Sequence, residues 1–260
     1  VIRVLRAEWT KLSTMPATGW LVLAIAALTV LASALASGTA AQCPSPATCF
    51  GDSTRLALSG VWLGQTAAVT LGVLVVSNEH STSMARTTLV VTPRRLRVLL
   101  AKSVAVAAVV GAAGTVGVLG SLVAGRALLP RGGLNAPTGG YVPVPLEEPT
   151  LRAAAGSVLY LVLVALLAVG VAAVLRDTAA ALSGVLALLF AAPALGVFVS
   201  DPQWHERLQQ LSPMTAGLAV QSTMRLYALP IGPWAGLGVL AGYAAAAVVA
   251  GAVLVTRRDA

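Results

Sequence analysis

Apolar residues come in long blocks along this chain, and charged residues mark where each block ends. Charge-free windows run over 17–37, 56–78, 103–125, 153–175, 178–200 and 234–256, each of 21 to 23 residues. A helix needs about 20 apolar residues to cross a hydrocarbon core of about 30 Å. A barrel strand would need only about 10 residues of alternating polarity, and no such alternation occurs. The pattern predicts an all-α integral membrane protein with six transmembrane helices in one domain. Their expected positions are about 17–37, 56–77, 100–125, 153–175, 178–200 and 234–256.

The first 14 residues show a different period. Ile2, Leu5, Trp9 and Leu12 fall on one side of a helix, with Arg3, Arg6, Thr10 and Ser13 on the other. This predicts an amphipathic helix lying in the membrane interface over 1–14; the plainer reading is a basic flank. The apolar stretch behind it, about 20 residues, exceeds the 7–15 of a signal-peptide core, so it is read as a retained span.

The connecting segments divide by composition. Segment 38–55 carries Cys43 and Cys49, either a small-loop disulfide or two free thiols. Segment 126–152 holds Pro130, Pro137, Pro143, Pro145 and Pro149, and predicts a proline-stiffened excursion without helix signals. In 201–233, Asp201-Pro202 and Ser212-Pro213 are cap-then-proline starts for short helices before the last span. Pro193 should kink the fifth span near its end.

Composition narrows the class. Hydrophobic residues make up 57% and charged residues 10%, against about 25% charged in a soluble domain. A soluble globular fold and a disordered chain are both excluded, and two cysteines cannot staple a secreted scaffold. The net charge of +8 would suggest nucleic acid in a soluble domain. Here it follows topology. With the N-terminus in the cytoplasm, the cytoplasmic segments hold 11 Lys and Arg and the outer ones 6. The positive-inside bias thus predicts both termini cytoplasmic and no nucleic-acid partner.

Candidate chemistry is sparse. A phosphate-binding loop needs two glycines and a lysine, but Lys11 precedes Leu12, and Lys102 has Leu96 where the first glycine would stand. His205-Glu206 has Gln209 in place of a second zinc-binding histidine. No acid, base or nucleophile lies inside any charge-free window, which argues against an ion-coupled antiporter and an intramembrane protease. The expectation is a chain with no catalytic residues, no metal and no cofactor of its own. The deepest polar side chain is Gln65, with Trp62, Thr66 and Thr70 nearby. An amide in hydrocarbon seeks a partner helix or a water-filled path, so this group serves either helix packing or translocation. Gly111, Gly114, Gly117 and Gly120, and then Gly238 and Gly242, permit close helix approach, within the chain or to a second copy.

The loop 78–99 is the most informative. Ser81, Thr82 and Ser83 offer caps for a short helix carrying Met84, Ala85, Arg86, Leu89 and Val90, stopping before Pro93. Thr92-Pro93 then starts the third span's helix, with Arg94, Arg95 and Arg97 in its first turns. Cations there are unfavourable by about 0.3–1 kcal/mol each, so anionic lipid or an acidic partner groove must offset them. Arg94, Arg95, Arg97 and Lys102 form an expected basic cluster at the membrane surface. The loop is read as a docking element; the alternative is a solvated topogenic loop.

With these residues in view, the chain resembles the permease subunits of ABC transporters of the type-2 exporter class, particularly small actinobacterial ones. The motifs run its whole length: Arg6-Ala7-Glu8-Trp9-Thr10-Lys11-Leu12; Asn78-Glu79-His80; Met84-Ala85-Arg86-Thr87-Thr88-Leu89; Thr92-Pro93-Arg94-Arg95; Leu100-Ala101-Lys102; Gly232-Pro233-Trp234; and Arg257-Arg258-Asp259. The resemblance implies a permease paired with a second copy or a sister permease and with two cytoplasmic ABC ATPase subunits, which would hold ATP and Mg. Its main coupling helix would fall on Glu79, His80, Met84, Arg86, Thr87, Thr88 and Leu89, and a second contact on Arg176 and Asp177. It also implies export of an amphiphilic drug-, lipid- or peptide-like substrate across the cytoplasmic membrane. An excess of 15 Arg over 2 Lys fits a GC-rich actinobacterium. The competing class is a membrane scaffold, sensor or immunity protein that works without an ATPase.

Overall fold

The computed structural model describes residues 2–39, 52–81, 95–129, 144–145, 147–196, 198–199 and 201–257. Six helices among them are long and apolar enough to cross a membrane, with mean hydropathy from 1.4 to 3.0 over their apolar windows. In chain order the α-helices are α1 (Ile2–Thr14), α2 (Pro16–Thr39), α3 (Ser53–Ala57), α4 (Val61–Ser81), α5 (Arg95–Leu128), α6 (Glu148–Leu175), α7 (Thr178–Gly196), α8 (Pro202–Leu211), α9 (Pro213–Leu218) and α10 (Pro233–Arg257). Two single 3₁₀ turns, Ala219–Gln221 and Leu226–Ala228, lie between α9 and α10.

Helix directions can be read from contacts between them. The Gly60 amide donates to Ser33 Oγ at 2.9 Å and Gly64 faces Thr29 and Ile25, so α2 and α4 are antiparallel. Thr54 pairs with Thr150 and Gln65 with Tyr160, so α4 runs parallel to α6. Ser121 donates to Thr29 O at 3.1 Å, and Gly125 stands beside Ser37, so α5 is parallel to α2. Gly170 abuts Ala247 and Gly251 abuts Ala173, so α10 is parallel to α6. The long helices therefore alternate along the chain. The start of α2, the ends of α4, α6 and α10, and the starts of α5 and α7 share one end of the bundle with α1, here the terminal end. The α3, α8 and α9 helices and the 3₁₀ turns occupy the other, distal end.

The middle of the bundle is α6. It packs against α4, α5, α7 and α10 and buries Tyr160, Leu161, Val164, Leu167 and Val169. By contrast α2 turns Trp20, Leu31 and Leu35 outward. All five tryptophans are exposed, and they stand at two levels: Trp9 and Trp20 at the terminal end, Trp62, Trp204 and Trp234 at the distal end. Such paired aromatic girdles mark the two water–bilayer interfaces of a membrane protein.

Several predicted boundaries need correction. The second span does not begin at 56: α3 ends at Ala57, a turn follows, and α4 starts at Val61. The break places Gly60 where any Cβ would stand 1.9 Å from Thr29 O, so backbone meets backbone there. The third helix is longer than its window, 34 residues or about 51 Å, because α5 takes in the basic turns at its start. Segment 126–152 is not free of helix signals at its end. Glu147 and Glu148 precede Pro149 in the first turn of α6, a start that suits proline. The fifth span stops at Gly196 rather than 200, one turn beyond Pro193.

Candidate functional site

The first turns of α5 separate residues that adjacency in sequence would group together. Leu96, Arg97, Leu100 and Val104 are exposed, whereas Val98, Leu99, Ala101, Lys102, Ala105 and Val106 are buried. Lys102 shares the packed stripe with Leu99 and Val106 at helical spacing, so its side chain turns into the protein. It is not part of a surface cluster with Arg97, as expected above; it is 5% exposed. Burying an ammonium requires a partner, and α1 supplies it. Lys102 Nζ lies 2.8 Å from Glu8 Oε2 and donates to Val75 O at 3.3 Å. The second Glu8 oxygen accepts from Lys11 Nζ at 2.9 Å. One carboxylate thus ties α1 to α5, and Lys102 carries the tie on to the last third of α4.

This finding also revises α1. Among the described side chains of α1, Glu8 and Leu12 are buried while Trp9 is exposed, so over residues 5–14 the face against the bundle is centred on Glu8 rather than on the Trp9 side. Glu8 sits four residues before Leu12 on that face. This spacing, together with an acid in an otherwise basic helix, was the available signal.

Of the expected docking residues, Glu79 and His80 lie in the last turn of α4. Met84, Arg86, Thr87, Thr88, Leu89 and Arg94 lie outside the described residues, as do Cys43 and Cys49. Arg95 opens α5. At the α6–α7 turn, Arg176 closes α6 in a left-handed conformation at φ 56°, and Asp177 Oδ1 accepts from Ala180 N at 2.7 Å at the start of α7.

One turn into α4 from its distal start, Gln65 is fully buried. Its Oε1 accepts from Tyr160 Oη in a short hydrogen bond, and its Nε2 lies 3.5 Å from Met214 Sδ. The structure does not gather Thr66 and Thr70 around it. Their hydroxyls donate back to Leu63 O and Thr66 O of their own helix. Sequence reasoning missed Tyr160, although a phenol in the middle of an apolar span needs an acceptor.

Trp62 packs edge-on against Phe190 at 5.5 Å and lines a cavity of about 640 Å³ at the distal end. The wall of that cavity is fixed by Asp52, a residue the sequence reading passed over. Its carboxylate accepts from Arg55 N at 3.0 Å, Thr223 Oγ1 at 2.7 Å, Met224 N at 3.1 Å and, closely, from Thr223 N. The bonds to Thr223 and Met224 pin the turn after the first 3₁₀ segment onto α3. Arg152 donates to Ser222 O at 2.6 Å, and Gln221 Nε2 reaches Leu58 O and Ser157 Oγ. A comparison of the chain with protein-family models and with curated proteins finds no match.

Proposed function

We propose that the chain is the transmembrane subunit of an ATP-driven ABC exporter, with its terminal end in the cytoplasm and ATP hydrolysed by separate subunits. Support comes from the motifs of the loop 78–99 and from one geometric observation. Glu8 and Lys102 join α1 to the two helices that flank that loop. A push on the loop by a closing ATPase would then move α1, α4 and α5 as one lever, since two packed helices joined by a buried ion pair do not slide freely. Anionic lipid would face Arg97, and a second permease would complete the path for an amphiphilic substrate.

Copurification tests the reading. An ABC ATPase should accompany the tagged chain from native membranes, and cysteines placed at 84–90 should crosslink to it. Glu79→Ala with Arg86→Ala should abolish substrate-stimulated hydrolysis and leave expression and insertion intact. A buried interface charge stripped of its partner costs about 2–5 kcal/mol, enough to uncouple the two subunits. If no ATPase copurifies, and positions 84–90 react freely with a soluble thiol reagent, the chain works without one, as a scaffold or sensor would.

A further inference from the structure

The distal cavity has a chemistry of its own, independent of any ATPase. Its volume of about 640 Å³ falls within the range of about 300–1,000 Å³ usual for small-molecule sites. Arg55 is the sole charged residue among its described lining residues. The nearby acid does not neutralise it by contact. Asp52 already accepts four hydrogen bonds, which fills the roughly four lone-pair sites of a carboxylate. Among the described residues the Arg55 guanidinium makes no ion pair.

Two further donors lie in the wall of the same space. Ser59 and Ser222 belong to the cavity wall, and their hydroxyls, buried within it and free to turn about Cα–Cβ, have no hydrogen-bond partner among the described residues. Ser222 as a whole is 2% exposed. Buried hydroxyls at Ser37, Ser77 and Ser212 are unpaired as well; what sets Ser59 and Ser222 apart is their place in a cavity wall that also carries Arg55, and polar groups so placed point to an acceptor supplied from outside. The rest of the wall is mixed: Gln209, Thr215 and Gln221 are polar, while Trp62, Met214, Leu218 and Leu229 form an apolar stretch. Guanidinium and hydroxyls together suit an oxyanion, and the apolar stretch suits the chain or ring attached to it.

We propose that this cavity binds the head of an anionic amphiphile, its oxyanion between Arg55, Ser59 and Ser222 and its first apolar segment along Trp62 and Leu229. Its level agrees, because Trp62 belongs to the distal tryptophan girdle, the depth at which lipid headgroups lie.

The test uses the full chain in phosphatidylcholine nanodiscs, titrated with short-chain phosphatidylglycerol while tryptophan emission is followed. A saturable change is expected, and it should vanish in Trp62→Phe. Arg55→Gln should weaken binding at least tenfold, Arg55→Lys should recover part of it, and Ser59→Ala with Ser222→Ala should weaken it several-fold. Arg55 is exposed, so its variants should melt with the parent. Discs that contain long-chain phosphatidylglycerol should blunt the titration if the bilayer supplies the ligand, and leave it unchanged if the ligand arrives from water. The proposal is overturned if short-chain phosphatidylcholine binds as well as the glycerol lipid, if Arg55→Gln has no effect, or if inorganic phosphate saturates the site at the same concentration.

Discussion

Lys102 and Glu8 show how much one side chain can carry at the edge of a span. Lys102 stands seven residues into α5, about 10 Å along the helix, too far in to be held by water alone. Removing one member of a buried pair strands the other, at about 3–5 kcal/mol. Glu8→Leu, which takes the carboxylate from buried Lys102, should therefore lower the melting temperature in detergent sharply, and Lys102→Met should lower it less, because Lys11 still pairs with Glu8. The double variant Glu8→Leu with Lys102→Met should melt above Glu8→Leu alone, because it removes the buried ammonium together with its carboxylate. Additive losses would mean the two residues act separately. Gln65 was legible in sequence because it is an amide inside an apolar window. Lys102 was not, since its three arginine neighbours suggested a surface cluster, and only the Leu99–Lys102–Val106 stripe reveals its direction. Asp52 was harder still. Its partners Thr223 and Met224 lie 171 and 172 residues away, and no local pattern announces them.

At the level of elements, the apolar windows located all six long helices, because hydropathy reports what lipid and core share. Their ends were less legible, because contact with neighbouring helices sets them. Gly60 illustrates this. A Cβ there would stand 1.9 Å from Thr29 O and 2.6 Å from Ser33 Oγ, so the α3–α4 turn exists where α2 crosses. Gly60→Ala should cost about 1–3 kcal/mol, as overpacking does, read as a lower melting temperature and loss of the α2–α4 contact to cysteine crosslinking. The two glycines at 238 and 242 make the contrast. A Cβ at either meets nothing within 4 Å in this chain. Gly238→Ala and Gly242→Ala should leave the isolated chain as stable as before or up to about 1 kcal/mol more so. A drop in melting temperature would show that something covers this face of α10. The stripe in α5 is different: Gly117 and Gly120 already meet α2, and Gly114 meets Leu161, so its small residues serve packing within the chain.

For the molecule as a whole, alternation of the long helices puts α1 and the end of α10 on one side and the α8–α9 segment on the other. Single cysteines at Arg97 and at Tyr227, the latter 90% exposed, in a chain with Cys43 and Cys49 replaced by serine, should label with an impermeant thiol reagent from opposite sides of the membrane. Labelling of both from one side would contradict the arrangement. The count of six spans anticipated which ends lie together, since an even number of alternating helices returns the chain to its starting side. It could not anticipate that α6, fourth of the six, holds the centre. That follows from small residues such as Gly170 and Ala173 meeting α10, which a hydropathy profile reads as merely apolar.

The central place of α6 also has a consequence in time. Gln65 leaves the ribosome 95 residues before Tyr160, an interval of about 5 to 20 s at ordinary rates of about 5–20 residues per second. Met214 comes later again. Throughout that interval the second long helix holds an amide in or near hydrocarbon without its final hydrogen bond, and α2, α4 and α5 can pair with one another but cannot complete the bundle. The newborn chain must therefore be sheltered, by the insertion machinery or by transient contacts among its first helices, until the fourth arrives.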